Sequence, residues 1–369
     1  MISRGRVPII HAIGWFQGGF GYNVHTRGLF DALARKIPTI ATPVWAGSGP
    51  VDEDREVLDR VLGDRIGASI CLMPGRLCDY LDDAFGQKIA YIVWEGTKLP
   101  RDWIEPLSRA DRIWIPTAWG KRVLIENGFS ADRIDVVPEG VDTCTFNPDG
   151  PKAAFFTQAE KKFRFLFVGR YEKRKAAAEL IQAFDQEFNE SEEVELVLGG
   201  LKANRADLDL GQELRSLHIR FPRRLKIIPH IHTHEEFASL YRSVDMFVFP
   251  TRAEGWGLPV IEAMATGLPV IVTGYSGVTE FIGNHVWRVD HRMIRIDDHY
   301  YQPDNQDFGD WAEPDFGHLR QLMRQAYELR DSSTLREMGR EASAHIAQNF
   351  TWEKAAECAV QRLQDCGAI

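Results

Sequence analysis

The stretch DMFVFPTRAEGWGLPVIEAMATGLPVIV, residues 245–272, decides the fold. It runs as an apolar strand, a tight glycine-containing loop, a helix, a turn and a second apolar strand. Gly255 and Gly257 let the backbone approach a ligand closely. The helix opening near Pro259 turns free N–H groups and a positive dipole toward whatever sits there, which suits a diphosphate. Glu254 closes the loop, and the spacing places Glu262 in the first helical turn, so two carboxylates are offered to accept hydroxyl hydrogen bonds. Taken singly, Glu262 reads as well as a complement to the helix dipole, and Glu254 as a surface loop residue.

The same rhythm extends in both directions. Upstream lie FRFLFV (163–168), VELVLG (194–199) and LKIIP (225–229), short apolar runs separated by amphipathic segments. The first part of the chain repeats the pattern with VPIIHAI (7–13), ASICLM (68–73), KIAYIVW (88–94), DRIWIP (111–116) and IDVVP (134–138). Strands alternating with helices imply parallel sheets, here two α/β doubly wound halves. The Pro- and Gly-containing stretch FNPDGPKAAFF (146–156) reads as the linker and puts the boundary near residue 152. Ligands of such sheets bind outside the carboxyl ends of the strands, so a shared cleft between the halves is expected. Thr233 with Glu236 forms a capping box, and Thr351 caps a final helix, WEKAAECAVQRLQ, which follows the amphipathic stretch STLREMGREASAHIAQ.

Composition narrows the function classes. At 369 residues the chain exceeds one typical domain, and 44% hydrophobic with 26% charged residues is an ordinary globular balance. Residues 1–150 carry 17 Lys+Arg against 20 Asp+Glu and the remainder 27 against 33, so neither half is a basic nucleic-acid binder. The runs KKFR (161–164) and RFPRR (220–224) read first as solvated surface and leave a peripheral contact with an anionic membrane open. Five cysteines without CxxC spacing argue against a zinc site or a disulfide scaffold and fit a reducing cytoplasm. No apolar run reaches the roughly 18 residues of a membrane span, and the N-terminal run is too short for a signal peptide.

With these residues in view, 254–262 resembles the E-x7-E signature of retaining glycosyltransferases of family 4, which have the GT-B fold: two Rossmann-like domains facing across a cleft. The resemblance implies residues 1–152 as the acceptor-side domain, 153–349 as the nucleotide-sugar donor domain, and 350–369 as a helix packing back on the first. It gives Glu254 the donor sugar, Glu262 the ribose, and the backbone of Gly255, Trp256, Gly257 and Leu258 the sugar and pyrophosphate. FLFVGRYEKRKAAAELIQAF (165–184) is similar to the family's phosphate motif. It sets Gly169, Arg170 and Lys175 at the donor diphosphate, with Ala176 where a glycine is usual. Removal of either cation is expected to abolish turnover and leave folding intact.

Three further stretches extend the match. Gly18, Gly19 and Gly21 in GWFQGGFGYNVH stand where a first-domain loop closes over the phosphates, which brings Gly19 and Gly21 to the donor; a tight βα turn is the equal alternative. Glu95, in YIVWEGTKLPRDW (91–103), falls where many relatives carry a His and is a candidate for acceptor deprotonation or charge stabilisation, with a buried structural Glu the near-equal alternative. In PEGVD (138–142) Glu139 replaces the usual Asn, and turn chemistry is the favoured reading. His230, His232 and His234 alternate as metal ligands can, but the segment resembles a base-binding strand end, so no metal is expected. No cofactor is expected either, the nucleoside-diphosphate sugar being a substrate.

The tail FTWEKAAECAVQRL (350–363) resembles the family's closing helices, with Trp352 a packing anchor. Between Val286 and Phe316 the chain departs from the commonest pattern, and GDWAEPD (309–315) there has no assigned purpose. The resemblance implies retaining transfer to a glycan, lipid-linked or small-molecule acceptor. A sugar-nucleotide epimerase of the same fold and a catalytically silent transferase-like subunit are the alternatives.

Overall fold

The computed structural model describes residues 7–44, 65–154, 156, 161–201, 209–228, 231–298 and 306–369. They form two compact units. The first runs to Gly140 and takes in residues 306–308 and the tail from Phe350; the second runs from Val141, with residues 309–349 as its last part. The division thus falls ahead of the expected 152. Arg242 explains it: its guanidinium donates to the carbonyls of Thr145, Asn147 and Pro151 at 3.2, 3.0 and 3.0 Å, tying the presumed linker to the second unit.

In the first unit the strands are β1 (Ile9–Gly14), β2 (Thr39–Pro43), β3 (Ile66–Leu72), β4 (Gln87–Tyr91), β5 (Arg112–Ile115) and β6 (Ile134–Val136). They lie in the order β2-β1-β3-β4-β5-β6, every pair parallel. Helices α1 (Gly21–Ala34), α2 (Arg101–Arg109) and α3 (Ala118–Glu126) connect them. Five of these strands coincide with the apolar runs of the sequence. The half-exposed edge strand β2, TIATP, has too few apolar residues to announce itself.

The second unit has β7 (Phe163–Val168), α4 (Ala177–Glu187), β8 (Val194–Gly199), α5 (Leu210–Ser216), β9 (Leu225–Ile228) and α6 (His234–Tyr241). These are followed by β10 (Met246–Phe249), α7 (Leu258–Ala265), β11 (Val270–Thr273) and β12 (Trp287–Val289). The sheet order is β12-β11-β10-β7-β8-β9. Chain order reverses between β7 and β10, so the loops after these two strands flank the crevice where such sheets take their ligands. Both strands are fully buried, as the continuous apolar runs of a sheet covered on both faces require. Arg164 of β7 pairs in register with Glu195 of β8, and the two buried charges meet at 3.2 Å.

The unassigned segment supplies an antiparallel hairpin, β13 (His291–Arg295) with β14 (Asp310–Pro314); residues 299–305 lie outside the described residues. Helices α8 (Phe316–Glu328) and α9 (Thr334–Asn349) complete this unit, and α10 (Trp352–Asp365) packs on the first. The expected caps are present: Thr233 and Glu236 exchange hydrogen bonds at 3.2 and 3.1 Å, and Thr351 accepts from the Lys354 amide at 3.2 Å.

Trp352 fixes α10. Its ring lies against Gly28 of α1, where a Cβ would come within 2.2 Å of it, and its backbone lies as closely on Gly140. Trp352→Ala should therefore destabilise the first unit by about 3–5 kcal/mol, the cost of emptying a large aromatic site. Urea unfolding followed by circular dichroism measures it; a change within experimental error would remove Trp352 as the anchor.

Candidate donor site in the second unit

At the crevice between β7 and β10 two charged side chains are buried against each other. Lys175 Nζ donates to both carboxylate oxygens of Glu254, at 2.6 and 2.8 Å. Arg174 adds a second cation, Nη1 lying 3.2 Å from Glu254 Oε1 while donating to the Ala253 carbonyl at 2.7 Å. Thr251 Oγ1 donates to the same carboxylate oxygen at 2.7 Å. The main chain of Glu254 is held by β11's following turn: its amide donates to Ser276 Oγ and its carbonyl accepts from the Gly277 amide, each at 2.8 Å. Burial works against ionising Glu254, yet Lys175 and Arg174 outweigh it and hold the carboxyl below its ordinary range. Burial likewise draws the Lys175 ammonium below the usual lysine value, against the pull of Glu254.

Backbone conformation makes this contact. Ala176, directly after Lys175, is left-handed at φ +53°, a region that disfavours side chains, so the glycine usual there has a physical reason. Gly257 stands at φ +108°, where a Cβ would also meet Val278 at 2.7 Å. Gly277 must be glycine because a Cβ would sit 2.3 Å from the Gly255 carbonyl. Helices α4 and α7 both start here, behind Ala176 and Gly257, and neither start carries a side-chain cap. Two positive helix ends therefore adjoin the ion pair.

The other expected residues fall out as follows. Gly169 and Arg170 directly follow β7, with Arg170 exposed. The ring of Trp256 is buried against Phe281 at 4.9 Å between centroids, so that residue offers its backbone to the loop. Leu258 opens α7 and Pro259 is its second residue. Glu262 is not in the first turn, as the spacing had predicted: with the helix starting at Leu258 it is the fifth residue, and it accepts from the Tyr241 hydroxyl at 3.0 Å. Burial pushes its carboxyl up to about 8, against the opposing effect of Tyr241.

Glu95, Gly19 and Gly21 belong to the first unit. Glu95 is half-buried four residues past β4. A Cβ at Gly19 would meet nothing within 4 Å, and Gly21 opens α1; the strained position of that loop is Gly18, at φ +117°. Glu139, in the stretch read as turn chemistry, is buried. It lies 3.5 Å from His25, and burial pushes the Glu139 carboxyl up and the His25 imidazole down to about 3. His230 lies outside the described residues, among which no group of three or more His, Cys, Asp or Glu could hold a metal. No described helix is long and apolar enough to cross a membrane.

Sequence reasoning missed Arg174, Arg252, Thr251 and Ser276. A signal existed for the last two, which directly follow or closely follow buried strands on the same sheet; the two arginines read as loop charge.

Residues 152–293 match the family of glycosyl transferases group 1. Among curated proteins, a D-inositol 3-phosphate glycosyltransferase of Nocardia farcinica is 30% identical over 68% of this chain and 52% of its own length. The enzyme of the same description from Paenarthrobacter aurescens is 26% identical over 64% and 53%. The chain thus spans about half the length of the curated relatives it matches. Among solved structures, sucrose-phosphate synthase of Thermosynechococcus elongatus superposes with a TM-score of 0.73 at 19% identity, covering 98% of this chain and 99% of that one. HepE of Anabaena, solved with UDP-glucose, gives 0.68 at 14% over 97% and 99%. These likenesses show the GT-B fold.

Two outcomes follow from the buried charges. The expectation that Lys175→Ala spares folding is corrected by its burial: removing the ammonium leaves Glu254 short of its main counter-charge, and about 3–5 kcal/mol of stability should be lost in urea unfolding. Glu262 is protonated in the folded state up to about 8 but ionises from its ordinary 4.5 once unfolded, so it withdraws stability as pH rises through that window. Glu262→Gln should consequently flatten the fall in thermal midpoint between about pH 5 and about pH 8. Parallel curves for variant and wild type would refute this.

Proposed function

We propose that this chain, which carries a group 1 glycosyltransferase domain on a GT-B fold, moves a sugar from a nucleoside-diphosphate sugar to a hydroxyl of a glycan, lipid-linked or small-molecule acceptor, with retention at the anomeric carbon. The observation that carries this reading is the bidentate Lys175–Glu254 pair set between two uncapped helix starts at the sheet's reversal point. A sugar bearing hydroxyls and a diphosphate bearing charge need those two chemistries side by side: a fixed carboxylate acceptor, and cations with backbone N–H groups.

In this mechanism the donor's bond from the anomeric carbon to phosphate oxygen breaks first, and the electron pair leaves with the diphosphate. Lys175, Arg170 and the starts of α4 and α7 stabilise that charge, while Gly169 and residues 255–258 approach it with backbone. Glu254 orients the sugar and Glu262 takes the ribose. The acceptor hydroxyl attacks the face the leaving group has left, and Glu95 of the first unit takes part in removing its proton. Gly19 and Gly21 of the same unit supply a phosphate-side loop. No metal or cofactor enters. The reading keeps the protein in a reducing cytoplasm, in line with five unpaired cysteines, and leaves peripheral membrane contact to the acceptor's nature.

The UDP-glucose bound in the HepE structure supports a nucleotide-sugar donor, and the names of the curated relatives support glycosyl transfer. A thermal-shift panel of UDP-, GDP-, ADP- and TDP-sugars should single out one donor class by a rise in midpoint. Slow donor hydrolysis without acceptor should accompany it. Silence across the panel would instead favour a catalytically silent subunit, and interconversion of sugar epimers the epimerase. With the selected donor, Glu254→Gln, which keeps an acceptor for Lys175, should lower turnover about 10²–10³-fold while the protein stays folded.

A further inference from the structure

The hairpin of β13 and β14 meets the loop after β10 at Arg252. Arg252 stands two positions before Glu254 and is buried, with only 3% of its surface exposed. Its guanidinium reaches three elements: Nε and Nη2 donate to the Glu313 carboxylate of β14 at 2.5 and 3.1 Å, Nη2 to Glu179 of α4 at 2.7 Å, and Nη1 to the Lys173 carbonyl. Its main chain is equally committed. The amide donates to the Arg174 carbonyl at 2.7 Å, and the carbonyl accepts from the Ala312 amide of β14 at 3.0 Å. Lys173 is itself tied to the hairpin's far side, its ammonium donating to the Asp297 carbonyl.

We propose that the hairpin, through Glu313 and Arg252, is a clamp that fixes the two loops bearing Lys175 and Glu254 in register, making Arg252 and Glu313 positioning residues for the transfer. This rests on the proposed function of the same site. The physical reason is that Lys175 follows Lys173 and Arg174, whose carbonyls Arg252 grips, while Glu254 follows Arg252 itself. Arg252 thus ties the main chain just ahead of Lys175 to its own main chain just ahead of Glu254, while its guanidinium spans from the Lys173 carbonyl to the Glu313 and Glu179 carboxylates, a task that needs several donors in a fixed fork. The clamp also accounts for the GDWAEPD stretch. Trp311 and Ala312 are buried, and Glu313 between the strand's buried neighbours points its carboxylate at Arg252. Cutting the clamp removes no group assigned to the donor, so the loss is one of geometry, to which transition-state contacts are the most sensitive.

Glu313→Gln and Arg252→Lys test it. Hydrogen exchange, which needs no substrate, should show faster exchange at the amides of Arg252 and Glu254 and at Lys175 and Ala176, with β7 unchanged. Accelerated exchange confined to the hairpin would overturn the clamp. With the selected donor, kcat should fall about tenfold or more while the donor KM stays within about threefold. Loosened loops with an unchanged kcat would show that the clamp does not position the reaction. If Glu313→Gln fails to fold, Arg252→Lys, which keeps the charge but not the fork, gives the same readings. A wild type that turns over no donor, with variants that still show the loop-specific exchange, would sink the transferase reading and leave the clamp standing.

Discussion

A carboxylate and an ammonium taken out of water together set the terms for the second unit. The Lys175–Glu254 pair gives up hydration that its attraction restores only when every remaining donor and acceptor is met. Three strand ends are committed to meeting them. The turn after β7 brings Arg174 and Lys175, the loop after β10 brings Thr251 and Glu254, and the turn after β11 brings Ser276 and Gly277 to the Glu254 main chain. Each has a positive-φ position, Ala176 at +53°, Gly257 at +108° and Ser276 at +59°. An apolar pair of similar volume would require none of this. The outlay in strain and desolvation is intelligible if the charges face a charged, hydroxyl-bearing ligand.

How legible this was depended on whether a residue's surroundings are local in sequence. The strands FRFLFV and DMFVF could be read because burial on both sheet faces leaves an unbroken apolar run, and the α7 start because Gly257 and Pro259 punctuate it. Lys175 and Glu254 were legible as a motif, but their pairing was not, since they are far apart in sequence and meet only through the β7–β10 neighbour relation. The position of Glu262 was misjudged by about one residue, because the helix expected to open near Pro259 starts at Leu258 behind the left-handed Gly257, which puts Glu262 just past the first turn.

The first unit shows the converse. Its five apolar strands were plain, yet Glu139 looked like turn chemistry, because Pro138 and Gly140 on either side are turn residues. Its burial comes from partners that no local pattern reveals: His25 from α1 at 3.5 Å and, stacked on that imidazole at 5.8 Å, Trp352 from the far end of the chain. The hairpin was opaque for a related reason. Its edge strand HRMIR is mostly exposed and carries no apolar alternation, and the partner that gives GDWAEPD meaning, Arg252, lies in a loop read for its glutamate and glycines.

Charge balance sharpens what the donor site can hold. Arg174 and Lys175 face Glu172 and Glu254, and Arg252 faces the half-buried Glu179 and Glu313. The first set is neutral and the second carries a net negative charge, so these ion pairs by themselves hold no surplus with which to draw in a diphosphate. Under the proposed function, the two uncapped starts of α4 and α7, each equivalent to about half a positive charge, add the attraction that a diphosphate needs. Under the same proposal Lys175 acts by exchange: its ammonium shares three donors between Glu254 and an arriving phosphate oxygen without either carboxylate or lysine losing its last partner. On that reading the neutral pair orients the groups and the helix ends supply the pull.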